Sequence, residues 1–477
     1  MFDRPIRFAA QQDPFSVAVS NGADHVSYAA LDRIVDQAAD ALERAGVAAP
    51  ADGERVLAGV CVRDPYLHLL MILACCRIGV ATTSLLIEHA QPMIYLARPT
   101  IILADDPALD PAVRIDKAWL DGVIAGPHVE RPLRTVDPQA LGRVQFSSGS
   151  TGLPKAVAFT WGVTHQRVQH TWMRPTAINR MLSLVGPASG SLPIFLSTLA
   201  RGGCVLFGPA DPAALARALP VLRPDGILAA PSQLAALLDA LPTGIQCLPD
   251  LQITLGAARA DERLCRRAER LLGKVSVTYA STEGGVLTFG YVGAFPDDRA
   301  VGYVVPWAEL EIVDADDRPV AVGEEGRIRV RGADVVDAYL GQEGETDDRF
   351  RDGWFYSGDL GSLAADGLVR VHGREDEVMN LGGEKHLPDT LEDRARTVAG
   401  VADVAAFALS DKDGVDQPWL AVVKAAGAEV DERALGSALA PLGLPSVRVA
   451  WIAEIPRTPL GKIARDTLRT AARALAG

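Results

Sequence analysis

Through most of its first 370 residues the chain alternates amphipathic helical stretches with short apolar runs, and this rhythm limits the fold more than any single motif. Residues 27–45 place Leu31, Ile34, Val35, Ala38, Ala41 and Leu42 at helical spacing, with Ser27 able to cap the start and Gly46 to end it. Residues 67–78 and 212–219 read as further helices, and 56–62, 81–86, 100–104, 203–207 and 226–229 as strands. Such alternation predicts an α/β fold of layered, largely parallel sheets. From about residue 299 the texture changes: 309–313, 326–330 and 368–371 read as strands between Asp/Gly turns, which predicts a β-rich subdomain. A smaller α+β unit follows, with helices at 389–397 and 431–439 and strands at 401–409 and 420–424. The charged run Arg374-Glu375-Asp376-Glu377 interrupts two strand-like segments. The boundaries expected are therefore 1–373, a connector at 374–377, and 378–477.

Charge and composition exclude several functions. The net charge is −13 and no Lys/Arg block occurs, which argues against a nucleic-acid partner or an anionic membrane. The most apolar run, 67–80, contains His68 and Arg77 and falls short of the roughly 20 residues a bilayer span takes. The opening residues show no signal-peptide core. None of the six cysteines forms a CxxC pair, which argues against a zinc or thioredoxin-like centre. A reducing, cytoplasmic setting is expected.

The densest chemistry lies at residues 146–155, FSSGSTGLPK. Gly149 and Gly152 permit positive φ and close backbone approach. The freed N–H groups, with the hydroxyls of Ser147, Ser148, Ser150 and Thr151, can then surround phosphate oxygens, and Lys155 adds a countercharge. By composition alone, a surface loop explains the stretch at least as well. A Walker A loop does not: Leu153-Pro154 separates Gly152 from Lys155, and Ala156 stands where Ser/Thr would hold magnesium. A P-loop ATPase or kinase is thereby disfavoured.

The stretch resembles the Ser/Thr/Gly loop of the adenylate-forming superfamily, which includes acyl-CoA synthetases, adenylation domains of nonribosomal peptide synthetases, and luciferases. Further elements resembling that family follow in order. Residues 279–283, YASTE, resemble Y-G-x-T-E with Ala280 for the usual Gly. The resemblance implies that Tyr279 stacks on adenine, Thr282 meets the α-phosphate and Glu283 helps hold Mg²⁺. Gly256, Ala257 and Ala258 resemble the strand end bordering adenine and acyl group, a pocket that Gly284 joins. Asp359 in YSGDL resembles the aspartate that binds both ribose hydroxyls. Arg374 and Asp376 in GRED resemble the ribose-reaching arginine and the hinge aspartate. Lys462 in IPRTPLGKI resembles the catalytic lysine, which the small mobile domain carries into the site only during adenylation. Outside this context Glu283 and Asp359 would read as turn residues and Lys462 as a solvated charge. The resemblance covers essentially the whole chain.

It implies a two-step reaction: ATP and a small carboxylic acid give acyl-AMP and pyrophosphate with Mg²⁺, and a thiol then displaces AMP. Lys155 would steady pyrophosphate while Lys462 supports the chemical step. Ser189 falls where amino-acid-activating members carry an aspartate. An α-amino acid would therefore bury an unpaired ammonium and is disfavoured. Gly382 and Gly383 resemble the glycines lining the thiol tunnel of acyl- and aryl-CoA ligases, although Asn380 replaces the usual lysine. Coenzyme A, or the phosphopantetheine of an acyl carrier protein, is the acceptor implied. A degenerate member that binds nucleotide without catalysis is the other class, and Glu283, Asp359, Arg374 and Lys462 argue against it. Whether the acid is fatty or aryl stays open.

Overall fold

The computed structural model describes residues 3–49, 54–148, 154–172, 178–242, 250–341, 343–381, 383–410, 416–444, 447–458 and 462–476. Local sequence explains where its elements begin and end. Helix Tyr28–Arg44 starts at Ser27, whose hydroxyl accepts from the Ala30 N–H. Helix Pro65–Ile78 starts at Asp64, which accepts from Leu67, and stops at Gly79 with φ 89°, where a side chain would be strained. Its sides are nearly all apolar, so it is enclosed rather than laid on the surface.

Two sheets flank that helix. Leu57–Cys61, Ala81–Ser84, Ile101–Ala104 and Leu141–Ser148 pair in parallel, and Pro154–Thr160 closes the first sheet antiparallel. In the second, Cys204–Leu206, Arg180–Ser183, Gly226–Ala229, Gln252–Leu255 and Lys274–Ser281 run parallel. Helices Tyr28–Arg44, Pro65–Ile78 and Leu192–Ala200 share one apolar cluster with Val60 of the first sheet and Val205 of the second, so they form the layer between. Arg77, fully buried there, meets the carboxylates of Asp3, Asp32 and Asp36; a charge so enclosed needs such partners.

The β-rich stretch is not a separate sheet. Gly285–Tyr291 folds back on Lys274–Ser281, and Ala300–Val304, Leu368–Arg374, Trp354–Leu363, Gly326–Gly332 and Ala308–Val313 extend the same sheet antiparallel. The sequence rhythm shows the change of texture but not this continuity, because the joining hairpin is set by long-range pairing.

The C-terminal unit has its own cores around Val401–Ser410, Asp416–Lys424 and Arg448–Trp451. Side-chain allegiance divides within residues 374–377. Arg374 donates back to Asp359 and to the Ser357 carbonyl, whereas Glu377 pairs forward with Arg465 at 2.8 Å. Between them Glu375–Glu377 forms a single 3₁₀ turn. One further joint spans the two parts: Asp393 on helix Pro388–Arg396 pairs with Arg259 and Arg299, each at 2.8 Å. Asp393→Asn is expected to loosen this joint and speed limited proteolysis at 374–377 several-fold; an unchanged cleavage rate would count against it.

Candidate active site

Two side-chain clusters stand on either side of the hairpin that joins the parallel and antiparallel halves of the larger sheet. The first gathers Tyr279, Asp359 and Arg374. Asp359 and Arg374 are register partners on adjacent strands, and the Nη1 of Arg374 donates to Asp359 Oδ1 at 3.2 Å. The Tyr279 hydroxyl donates to the other carboxylate oxygen. Burial and the Asp359 charge hold the phenol well above its ordinary pKa, so it stays a donor. Burial opposes the Arg374 charge, but Asp359 and Asp376 outweigh it and keep the guanidinium firmly protonated. Gly358, at φ 77°, lies so close beneath Arg349 that a Cβ would clash with its guanidinium.

The second cluster holds Glu283, Tyr339 and Lys155. Glu283 is buried in the turn between the hairpin strands and accepts from the Tyr339 hydroxyl at 3.0 Å. Lys155, also buried, lies over the Tyr339 ring, 5.0 Å from its centroid. Tyr339 reaches this position because its segment pairs with the smaller sheet, bridging Val157, while the Leu340 N–H donates to Ala156. It thus joins the edge of one sheet to the turn of the other. A cavity of about 390 Å³ is lined by Lys155 of the second cluster and, among others, by Arg349, Tyr356, Gly358 and Asp376. A larger open cavity, about 670 Å³, lies against Arg4, Phe8 and Arg131 and contains none of the motif residues.

The turn bearing Thr282 and Glu283 is pinned from below by Arg167, which has no sequence motif to announce it. Its guanidinium donates to the carbonyls of Thr282 at 2.9 Å, Glu283 at 2.9 Å and Asp334 at 3.0 Å. Burial draws its pKa down to about 10, against the pull of Asp334 and Glu283, so it remains charged at neutral pH. His170 pairs with Asp334 at 2.7 Å and stacks on Trp307, closing the base of the turn. Arg167→Met would leave three inward carbonyls without their donor, at a cost of about 1–3 kcal/mol each if they stay dry. The expected results are a lower melting temperature and a higher Mg²⁺ concentration for half-maximal adenylation. Arg167→Lys should recover part of the stability, and an unaltered Mg²⁺ requirement in a folded Met variant would refute the positioning role.

The remaining motif residues divide by position. Ser147 stands opposite Lys155 and Ser148 opposite Pro154, so the two strands deliver both ends of the Ser/Gly loop to one place. Gly149, Ser150, Thr151 and Gly152 lie outside the described residues, as does Gly382. Gly256, Ala257 and Ala258 follow strand Gln252–Leu255, and Ala257 takes φ 71°, a strained conformation for alanine of the kind functional sites often hold. Gly284 packs against the Ser281 hydroxyl and Leu287. The Ser189 hydroxyl is engaged within its own turn, donating to the Gly186 carbonyl and meeting Ser191 Oγ at 3.0 Å. Gln145, a register neighbour of the loop's first strand, donates to the Ser189 carbonyl at 3.4 Å. Gly383 has φ 96° and donates to the Asn380 side chain.

Lys462 is exposed at the foot of a hairpin loop. Its N–H meets Thr458 Oγ1 and its carbonyl accepts from the Thr458 N–H at 2.8 Å, while Ile455 and Ile463 root the loop in the C-terminal core. It is not among the residues lining the 390 Å³ cavity. The structure therefore brings Tyr279, Asp359 and Arg374 together in one cluster and Glu283, Tyr339 and Lys155 in another, and holds Lys462 on a separate, anchored loop.

Known proteins are similar to this chain in sequence and in fold. Salicylyl-CoA synthase / salicylate adenylyltransferase of a Streptomyces species is 28% identical over 69% of this chain and 62% of its own length. Indoleacetate–CoA ligase of Aromatoleum aromaticum is 26% identical over 96% of this chain and 95% of its own. The solved structure of O-succinylbenzoate coenzyme A synthetase from Bacillus subtilis, in complex with ATP and magnesium ion, superimposes with a TM-score of 0.82 at 21% identity, covering 98% of this chain and 99% of that one. With residues 6–340 matching the AMP-binding enzyme family, the layered sheets and paired clusters find their place: the chain belongs to that family of adenylate-forming enzymes.

Proposed function

We propose that the protein activates a carboxylic acid with ATP, releasing pyrophosphate, and passes the acyl group to the thiol of coenzyme A. One observation carries the reading: the larger sheet holds two positioned carboxylates, Asp359 fixed by Tyr279 and Arg374, and Glu283 fixed by Tyr339, over whose ring Lys155 lies. A carboxylate suits two ribose O–H donors. Magnesium usually keeps several waters and phosphate oxygens with one or two carboxylates, so lone Glu283 suits it; no group of three or more acidic, His or Cys ligands occurs among the described residues. When bound, the ion would offset charge on the phosphates.

The chain's own residues account for the rest. Asp359 fixes the ribose, Tyr279 offers its ring to the adenine, and Thr282 with the 147–155 loop faces the phosphates. The substrate carboxylate is already ionised at neutral pH, so its oxygen needs no general base to attack the α-phosphorus. The new O–P bond forms as the bond to the pyrophosphate oxygen breaks. Lys462, brought in by rotation about Asp376, stabilises the charge gathered at that phosphorus. Its withdrawal frees the site for the thiol, whose sulfur displaces AMP from the acyl carbon; the thiol's approach is assigned, from the resemblance, to the Gly382-Gly383 pair. The domains on this reading are 1–373 and 378–477, joined at 374–377.

The five described cysteines are buried and form no disulfide among the described residues, and no described helix is long and apolar enough to cross a membrane. Both fit an enzyme of the cytoplasm, where ATP and coenzyme A are available. Pyrophosphate release should be screened over fatty, aryl and amino acids with ATP and Mg²⁺, adding coenzyme A or a phosphopantetheinylated carrier protein. Release of ADP, or of no pyrophosphate with any acid, would overturn the reading.

A further inference from the structure

Among the described residues, the enclosed arginines differ in what receives their charge. Arg77 meets three aspartates, Arg465 meets Glu377, Asp389 and Glu392, and Arg167 lies on three carbonyls. Arg143, 2% exposed, has no carboxylate within ion-pair distance among the described residues. Its Nη1 donates to Thr82 Oγ1 at 3.0 Å and its Nη2 to Ser84 Oγ at 2.6 Å, while its Nε is buried without a partner. Burial brings its pKa down to about 9, which still leaves it cationic at neutral pH. An enclosed charge without a counter-ion is costly, and hydroxyls offset only part of that.

Its direction follows from those two contacts. Thr82 is the register partner of Arg143, yet the guanidinium extends to Ser84, two residues further along the parallel strand. The side chain therefore runs toward the carboxyl ends of the strands, where ligands collect in sheets of this kind and where the Ser/Gly loop begins. Gln145, two positions along Leu141–Ser148 and so on the same face, donates to the carbonyl of Ser189, the residue that the resemblance assigns to the acid pocket. His68 meets Ser84 Oγ at 2.8 Å and the Val62 carbonyl at 3.2 Å. Burial and the Arg143 charge hold its pKa down at about 4, so it adds no second cation.

We propose that Arg143, with Thr82 and Ser84, receives a second carboxylate on the substrate, remote from the one that is adenylated, and that the preferred substrates are dicarboxylic rather than neutral fatty or aryl acids. This deepens the ligase reading and rests on it for the turnover assay alone. The added carboxylate supplies the missing counter-ion and an acceptor for the orphaned Nε.

The test compares matched acids that differ only by a distal carboxylate: straight-chain monoacids against α,ω-diacids, and benzoates with and without a second carboxylate. Pyrophosphate release is measured for the native enzyme, Arg143→Met and Arg143→Lys. The native enzyme is expected to favour the diacid of a matched pair by about tenfold or more in kcat/KM, the scale of one charged hydrogen-bonded contact. Arg143→Met should reverse the order, and Arg143→Lys should keep part of it. A second measurement needs no turnover: the preferred diacid should raise the melting temperature of the native protein but not of Arg143→Met. A native preference for monoacids, or equal loss for both kinds in a folded Met variant, overturns the proposal and leaves the ligase reading standing. If no acid yields pyrophosphate, the ligase reading falls, and the melting shifts alone decide for or against Arg143. If Arg143→Met does not fold, the native preference within each pair decides.

Discussion

Lys462→Ala is expected to lower acyl-adenylate formation about 100- to 1,000-fold, the range seen when one preorganised donor is removed from developing negative charge. Thioester formation from supplied acyl-AMP should stay within a few-fold of the native rate. The asymmetry follows from where the lysine sits. Its loop is rooted by Ile455 and Ile463 in the C-terminal core and leaves the ammonium exposed, outside the cavity that Lys155 and Asp376 line. A group held there acts only in the orientation that brings it in, and the thiol step is assigned to the other orientation. Pyrophosphate exchange and single-turnover thioester formation from synthetic acyl-AMP measure the two halves separately. Equal loss in both would sink the assignment.

Asp359→Ala is the second large effect. The carboxylate accepts from Tyr279 and Arg374, and its side chain is only 14% exposed. On the proposed function, its removal takes away two charge-assisted contacts to ribose, and it leaves Arg374 with less to hold it. Contacts of that kind are worth about 1.5–3 kcal/mol each, so ATP should bind about 10- to 100-fold more weakly, even after partial replacement by water. The maximal rate at saturating ATP should change far less, because Asp359 does not face the phosphates. Calorimetric titration with ATP checks the first claim, and steady-state kinetics at saturating ATP checks the second. An unchanged affinity for ATP would remove Asp359 from the nucleotide site.

How much of this was legible in the sequence depended on the distance over which each feature is specified. Ser27, Asp64 and Gly79 mark helix ends through contacts a few residues long, and those elements stand where the spacing put them. Tyr279, Asp359 and Arg374 were legible because each sits in a short local pattern, although nothing local says that they meet. Tyr339 and Arg167 were not. The first touches Glu283 across 56 positions and the second touches Asp334 across 167, and each looks like an ordinary residue in its own neighbourhood. Arg143 was hidden differently: its strand mixes polar and apolar residues, and only the fold shows that its charge points inward with no acid to meet it among the described residues.

The split allegiance of residues 374–377 sets what a swing of the C-terminal unit would have to give up. Arg374 with Asp359 and Glu377 with Arg465 travel with their own sides, so a rotation about Asp376 leaves both intact. The joint through Asp393, Arg259 and Arg299 does not, and its groups are about a quarter exposed. Ions screen such contacts over about 8–10 Å at physiological strength. If the C-terminal unit swings as proposed, the balance between its orientations would be exposed to the ionic medium, while the contacts among Tyr279, Asp359 and Arg374, more enclosed, would be less so. Salt would then act on the order of events rather than on the chemistry.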